Sequence, residues 1–305
     1  MIVTLGEILV EIMADAPGEG FRQAIALTGP FPSGAPAIYI SQVARMGAAA
    51  GIISAVGADD FGQVNLERLV ADGVDVSAVT VDAERPTGSA FVRYRGDGTR
   101  DFVFNIAHSA CASIAMGPAA EALLGRARHL HVVGTSLSSV PMQAMALAAA
   151  GQVKAQGGTV SFDPNLRKEV LGQKGLAETV AAMLGLADVF LPSGEELYIG
   201  CAGRETAVAE HLARGIKAVV WKQGADGASY FDADGRLDQA AFVVTEVDPT
   251  GAGDCFAGAF TALWCEGAAP AHALRFAAAA GALAVTKRGP MEGAGWAAKV
   301  AALAG

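Results

Sequence analysis

Val247-Asp248-Pro249-Thr250-Gly251-Ala252-Gly253-Asp254-Cys255-Phe256-Ala257-Gly258-Ala259-Phe260 sets three small residues after a turn and before a helical pattern. Phe256, Ala259, Phe260 and Leu263 recur at the spacing of one helix face. Small residues at a helix start leave the backbone N–H groups open to an anion, and the helix dipole adds partial positive charge there. Such a nest cradles a transferring phosphoryl group or another oxyanion. Asp254 is the discordant member, because a carboxylate repels an anion. Taking a proton from an attacking hydroxyl would give it chemical work. The alternative is a tight turn followed by an N-cap aspartate.

Upstream of this segment, short apolar runs alternate with helical patterns. Strands are predicted over Ile2–Leu5, 51–56, His129–Val133, 159–162, 189–191 and 218–221. Helices are predicted over 35–46, 64–72, 142–156, Leu176–Leu186 and 206–214. Buried strands alternating with helices imply a mostly parallel sheet with helices on both faces. Residues 89–94 and 100–104 flank Arg95-Gly-Asp-Gly-Thr99 and break the alternation as a β-hairpin turning at Asp97-Gly98. Together with part of 12–32, the stretch 86–107 is expected to form a small β-sheet lid on a single α/β domain spanning 1–305.

The 305 residues are 52% hydrophobic and 17% charged, enough for a sizeable core and too apolar for disorder. A net charge of −9 lacks the footprint of a nucleic-acid or anionic-membrane binder. Mean hydropathy is +0.37. Even so, 132–151 is broken by Ser136, Ser138, Ser139, Pro141 and Gln143, and 273–285 is too short to span a bilayer. The N-terminus carries Glu7 and Glu11 inside its apolar run, unlike a secretory signal and like a first strand. Four cysteines without a C-x-x-C spacing suit reduced thiols, so a cytoplasmic location is expected. The phosphate motif G-x-x-x-x-G-K-[ST] does not occur.

The opening segment resembles the second signature of the PfkB (ribokinase-like) carbohydrate kinases, close to D-T-x-G-A-G-D-x-F-x-x-G. Asp248, Thr250, Gly251, Ala252, Gly253, Asp254, Phe256 and Gly258 all fall in place. The resemblance runs along nearly the whole chain. Ser33-Gly34-Ala35-Pro36-Ala37-Ile38 with Gly57-Ala58-Asp59-Asp60-Phe61-Gly62 is similar to the first signature, with Ile38 where the family usually has Asn. Phe162-Asp163-Pro164-Asn165-Leu166-Arg167 is similar to its D-x-N-x-R strand end. Leu191-Pro192-Ser193-Gly194-Glu195-Glu196 occupies its N-x-x-E position, with Ser193 for Asn, and Lys222-Gln223-Gly224-Ala225-Asp226-Gly227 its K-x-G-x-x-G turn.

This resemblance implies a ribokinase-like fold and transfer of a phosphoryl group from ATP to a sugar, with Mg2+ and, in some members, a monovalent cation such as K+. It implies Asp254 as base and Gly251, Ala252, Gly253 and Asp254 as the anion hole. Glu11, Gly34, Asn105, Arg167 and Asp254 would meet the sugar. Asn165, Lys222, Gly224, Gly227, Thr250, Gly251 and Gly253 would meet the nucleotide. Glu196 would act on Mg2+ through water, or Glu195 if the register differs by one. Glu11 reads equally as a strand-end carboxylate, and Lys222 as a strand-end lysine. Arg93, Arg95 and Arg100 read as a solvated hairpin face, and His129 and His131 as structural. No Arg lies between 101 and 125 to clamp a carboxylate. In the family's 2-keto-3-deoxygluconate kinases a Tyr-x-Arg stretch after the hairpin often supplies that clamp. Gly29-Pro-Phe-Pro-Ser-Gly-Ala-Pro-Ala37 is similar to the tagatose- and fructose-type members. The resemblance therefore implies a neutral ketohexose such as tagatose or fructose, ahead of 2-keto-3-deoxygluconate. An inactive sugar sensor on the same fold and a homodimer through the lid complete the expectations.

Overall fold

Ile2–Leu5 is buried throughout and paired on both edges, with Val3 opposite Gly51 on one side and Leu130 on the other. That is the position of a central strand of a parallel sheet, covered on both faces. The computed structural model describes residues 1–166 and 171–305. In chain order they form β1 (Ile2–Leu5), β2 (Leu9–Ala14), β3 (Leu27–Ser33), α1 (Ala35–Arg45), β4 (Ala50–Gly57), α2 (Asp60–Asp72) and β5 (Val74–Asp82). Next come β6 (Gly88–Tyr94), β7 (Arg100–Asn105), α3 (Pro118–Gly125), β8 (His129–Val133), α4 (Val140–Ala155) and β9 (Thr159–Asp163). The chain continues through α5 (Leu176–Leu186), β10 (Val189–Phe190), α6 (Ala207–Ala213), β11 (Ala218–Lys222), β12 (Ala228–Asp232) and β13 (Gly235–Gln239). It closes with α7 (Ala252–Cys265), α8 (Pro270–Ala284) and α9 (Ala297–Ala304).

The strands make two sheets: β13-β12-β11-β10-β9-β8-β1-β4-β5 and β3-β2-β6-β7. In the large sheet β5 through β11 run parallel, while β12 and β13 extend one edge as an antiparallel hairpin. Successive β1 side chains feed opposite core layers. Ile2 joins Tyr39, Val43, Phe256 and Phe260 under α1 and α7; Val3 and Leu5 join Leu123, Val153, Met183 and Phe190.

The alternation read from the sequence omits β5, β12 and β13. Val74-Asp-Val-Ser-Ala-Val-Thr-Val-Asp82 alternates apolar with polar residues because it is a half-exposed edge, not a buried central strand. The N-terminal run is two strands rather than one. Gly6 turns the chain at φ 140, with Ser136 where a Cβ would stand, and residues 9–14 pass into the small sheet. Helix α2 starts at Asp60 rather than 64, because the Asp59 side chain accepts from Gly62 N at 2.8 Å and caps it.

A buried polar chain crosses the large sheet beneath α1 and α7. Tyr39 Oη meets Thr261 Oγ1 at 2.6 Å, and the Tyr39 ring stacks on His131 with centroids 3.6 Å apart. His131 Nδ1 and His129 Nε2 each lie 2.7 Å from Ser161 Oγ. Burial pushes His129 down to about 4 and His131 well below its ordinary value, so both rings are neutral structural groups.

Candidate active site

Gly251 ends the connection into α7 at φ 80, and a Cβ on it would stand 2.4 Å from the Pro290 carbonyl oxygen. Only glycine suits that backbone and that approach. Ala252, Gly253 and Asp254 then form the first turn of α7, whose N–H groups lack intrahelical acceptors. Asp248 holds the preceding turn. Its carboxylate, 1% exposed, accepts from Thr250 N at 3.0 Å, Gly289 N at 2.9 Å and Tyr94 Oη at 2.6 Å.

This helix start separates two hollows. On one side is a cavity of about 520 Å³ between the two sheets. Its wall includes Glu7, Glu11, Ser33, Gly34, Ile38 and Asp254, with Thr250, Phe104, Ile106 and Met142 around them. On the other side is a more open hollow bordered by Ser193, Gly194, Lys222, Gln223, Gly224 and Gly253. Asp254 thus faces the first hollow and Gly253 the second.

The register of the small sheet decides which lid residues reach the first hollow. Glu11, Ala90 and Phe104 stand opposite one another across β2, β6 and β7, so they share a face. The Glu11 carboxylate is buried there and accepts from Ser33 Oγ at 2.8 Å. Asn105 stands opposite Ser89, in the row that Ser89 shares with Val10, on the other face. Its amide donates to Ser89 Oγ at 3.4 Å, and it borders a separate hollow with Asp59, Asp60 and His108. Strand alternation thus turns Asn105, an expected sugar contact, away from the cavity, which Phe104 and Ile106 line instead.

Gly34 lines the cavity at φ 110, but the space a side chain would take is filled by the Glu7 carbonyl oxygen at 2.4 Å. Its glycine character thus serves a backbone contact. Glu7, absent from the candidates above, lines the same cavity. Its place in the turn between β1 and β2 is set by the split of the first strand, which periodicity does not reveal.

On the second hollow, Lys222 is buried and ion-paired with Asp163. Its Nζ lies 3.7 Å from where a Cβ of Gly253 would stand, so the ammonium reaches the anion hole. Gly224 lines the hollow, whereas a Cβ at Gly227 would stand 2.1 Å from the Gln239 carbonyl oxygen. Gly227 serves the packing of the β13 return rather than the hollow. Asn165, at φ 36, ends the β9 loop beside Glu196.

Glu196 accepts from Leu166 N and Ser193 N, each at 2.8 Å, and so ties the ends of β9 and β10 together. Burial, followed by the charge of Asp163, raises its pKa. Glu195 is exposed and pairs with Arg204, so the half-buried carboxylate of the pair is Glu196. Arg167 lies outside the described residues.

Two arginines depart from a solvated hairpin face. Arg93 donates to the carbonyls of Glu19 and Gly20 at 3.1 and 2.8 Å, and Arg100 to Thr250 Oγ1 at 3.3 Å. Arg95 pairs with Asp101 at the exposed hairpin end, as a solvated residue does. The tertiary contact of Tyr94 with Asp248 has no local sequence signal, because 154 residues separate the partners.

A ribokinase-like α/β sheet with a second sheet over an anion-binding helix start defines the protein as a phosphoryl-transferring enzyme. Comparison with known proteins agrees. The pfkB family carbohydrate kinase pattern matches residues 2–296. Fructokinase-1 of Oryza sativa subsp. japonica is 32% identical, over 95% of this chain and 93% of its own. The 2-dehydro-3-deoxygluconokinase of Thermoproteus tenax is 32% identical, over 95% and 90%. An E. coli protein provisionally named ribokinase II, solved with ATP and Mg2+, is 45% identical with a TM-score of 0.91, over 99% of this chain and 98% of that one. The chain belongs to the pfkB family of carbohydrate kinases and is a sugar phosphotransferase.

Proposed function

We propose that the protein transfers the γ-phosphoryl group of Mg-ATP to a primary hydroxyl of a neutral ketohexose such as fructose or tagatose. The observation that carries this reading is the placement of Gly251–Asp254 between two hollows, with Asp254 on one and Gly253 beside Lys222 on the other. A sugar in the first hollow, near Glu11 and Gly34, brings a hydroxyl to Asp254. A nucleotide in the second, along Gly224 and Lys222, brings its terminal phosphate to the same helix start from the opposite side, while Thr250 stands on the sugar side. That is the arrangement an in-line displacement requires.

Asp254 takes the hydroxyl proton as the bond to phosphorus forms. The amides of Ala252, Gly253 and Asp254, with Lys222 nearby, offset the charge spread over the phosphoryl oxygens. Asp163 and Glu196 fit a hydrated Mg2+ held through water, since the Asp163 charge adds to the cost of charge on Glu196 and a nearby dication would offset it. Bound there, Mg2+ would neutralise phosphate charge. Closure of the small sheet excludes water from the transfer.

Three carboxylates, Glu7, Glu11 and Asp254, and no Lys or Arg stand among the described residues lining the sugar-side cavity. That supports a neutral sugar over a keto-sugar acid, the alternative suggested by the Thermoproteus tenax relative. Retention of Asp254 and the whole anion hole speaks against an inactive sensor. A homodimer through the outer face of the lid, where Val103 is exposed, belongs to the same proposal and is tested by the mass in solution.

The decisive experiment is an ADP-release assay with Mg-ATP against fructose, tagatose, psicose, ribose, 2-keto-3-deoxygluconate and fructose 6-phosphate, with Asp254→Asn as control. Asp254-dependent turnover on a ketohexose is expected. Turnover confined to the keto-acid or the sugar phosphate would overturn the neutral-sugar reading. Sugar binding without turnover on any substrate would favour the sensor.

A further inference from the structure

Tyr94 and Arg100 stand opposite each other at the turn end of β6 and β7, the end of the lid nearest its hairpin turn. Both reach across to the turn that shapes the anion hole. Tyr94 Oη donates to Asp248 Oδ1 at 2.6 Å and lies 3.2 Å from Thr250 Oγ1; Arg100 donates to that same hydroxyl at 3.3 Å. The Arg100 guanidinium lies over the Tyr94 ring, 5.8 Å from its centroid, so the two side chains brace each other. Burial, then the Asp248 carboxylate, pushes Tyr94 up to about 12, so the phenol is a permanent donor at neutral pH.

Asp248 is where the lid and the anion hole meet. The carboxylate is buried and, among the described residues, pairs with no Lys or Arg; its charge is met by the phenol and two backbone N–H groups. A buried carboxylate that loses one of three donors is strongly disfavoured. A second connection converges on the same residue. Arg288 donates to the Met13 and Ala14 carbonyls and pairs with Asp15, anchoring the end of β2. The next two residues meet the anion-hole turn: Gly289 N donates to Asp248, and the Pro290 carbonyl abuts Gly251.

We propose that Tyr94 and Arg100 are positioning residues that latch the closed lid to the Asp248–Thr250 turn, so that the anion hole takes its working shape only when the lid is down. Neither residue lines the sugar-side cavity or the Lys222 hollow. They act through Asp248 and Thr250. Because coupling is reciprocal, whatever draws the lid down improves phosphate binding, and whatever fills the anion hole holds the lid. The latch would thereby keep ATP from being hydrolysed while no sugar is enclosed.

The inference rests on the kinase reading, and its test separates the two. In the full chain, Tyr94→Phe removes the donor and keeps the ring. Expected are a kcat lower by about tenfold, a fructose or tagatose KM within about threefold, and a larger share of ATP hydrolysed without sugar transfer. Binding of Mg-AMP-PCP is expected to weaken by about tenfold. Arg100→Gln should move the same quantities the same way and stands in if Tyr94→Phe does not fold. Arg95→Ala, on the solvated end of the same hairpin, should leave them unchanged. A variant matching the wild type in kcat, partition and Mg-AMP-PCP affinity overturns the latch. A wild type silent on both ketohexoses overturns the substrate reading, and the Mg-AMP-PCP comparison still decides the latch.

Discussion

Gly251–Asp254 and the lid face around Glu11 border one cavity and are built by opposite means. The first is a continuous run in which each residue's place follows from its neighbours: a left-handed glycine, the amides of a helix's first turn and a carboxylate in that same turn. The second is assembled from strands far apart in the chain. Glu11, Ala90 and Phe104 meet only because β2, β6 and β7 pair in one register. A local anion hole needs backbone geometry that a short motif can specify. A surface that distinguishes one sugar from another needs side chains from several elements, and a one-residue shift in register exchanges them.

The largest test of this contrast is Asp254→Asn. A base acting only in the transition state should lower kcat by about 10²–10⁴ while sugar affinity, read by calorimetry, changes little. Near-normal turnover would remove Asp254 from the base role and leave the two sides equally undefined.

Next is a test of the ground both sides share. Tyr39 on α1 and Thr261 on α7 are joined through His131, Ser161 and His129. Both histidines are held neutral, with folded-state values below that of the unfolded chain. The unfolded state therefore binds more protons below about pH 6.5, and stability falls as pH drops from there through about 4. For His129 alone the loss is on the order of 3 kcal/mol. Denaturant titrations at pH 7.5 and 5 should reveal it, and His129→Gln should flatten the slope. A stability independent of pH across that span would refute the neutral-histidine account.

Glu11→Gln probes the lid side directly. Replacing a charged acceptor by a neutral one should raise the sugar KM about tenfold with a smaller change in kcat, the reverse of the Asp254 pattern. Equal losses in both parameters would mean that Glu11 acts on the chemistry. The smallest effect is expected at Asn105→Ala. Its side chain lies on the far face of the sheet, so sugar KM should remain within about twofold; a large rise would show that the lid repacks when sugar enters.

Much of the sheet was legible in the chain. The strands expected at 2–5, 129–133 and 218–221 are almost wholly buried and appear as short, mostly apolar runs. Val74–Asp82 escaped because an edge strand alternates, and the β12–β13 hairpin because half of it faces water. On the site, the motif named Asp254, Gly251 and Lys222, and the structure gathers them around one helix start. Asn105 lies on the sheet face turned away from that cavity, since a hairpin signal gives the turn and not the face. Glu7 on the cavity wall and the Tyr94–Asp248 contact carry no local signal, because each depends on partners remote in sequence.

The local order Gly-Ala-Gly-Asp ahead of an amphipathic helix was enough to indicate a helix start open to an anion, because backbone conformation and helix dipoles depend on adjacent residues, and the resemblance of the longer run to a family signature gave the class of chemistry. The alternation of apolar runs was likewise enough for a parallel sheet. Which carboxylates line the cavity between the sheets, which hollow each side of the α7 start opens on, and the hydrogen bond of Tyr94 to Asp248 came only from the tertiary structure. Those depend on strand register and on contacts spanning more than a hundred residues, which no local pattern encodes.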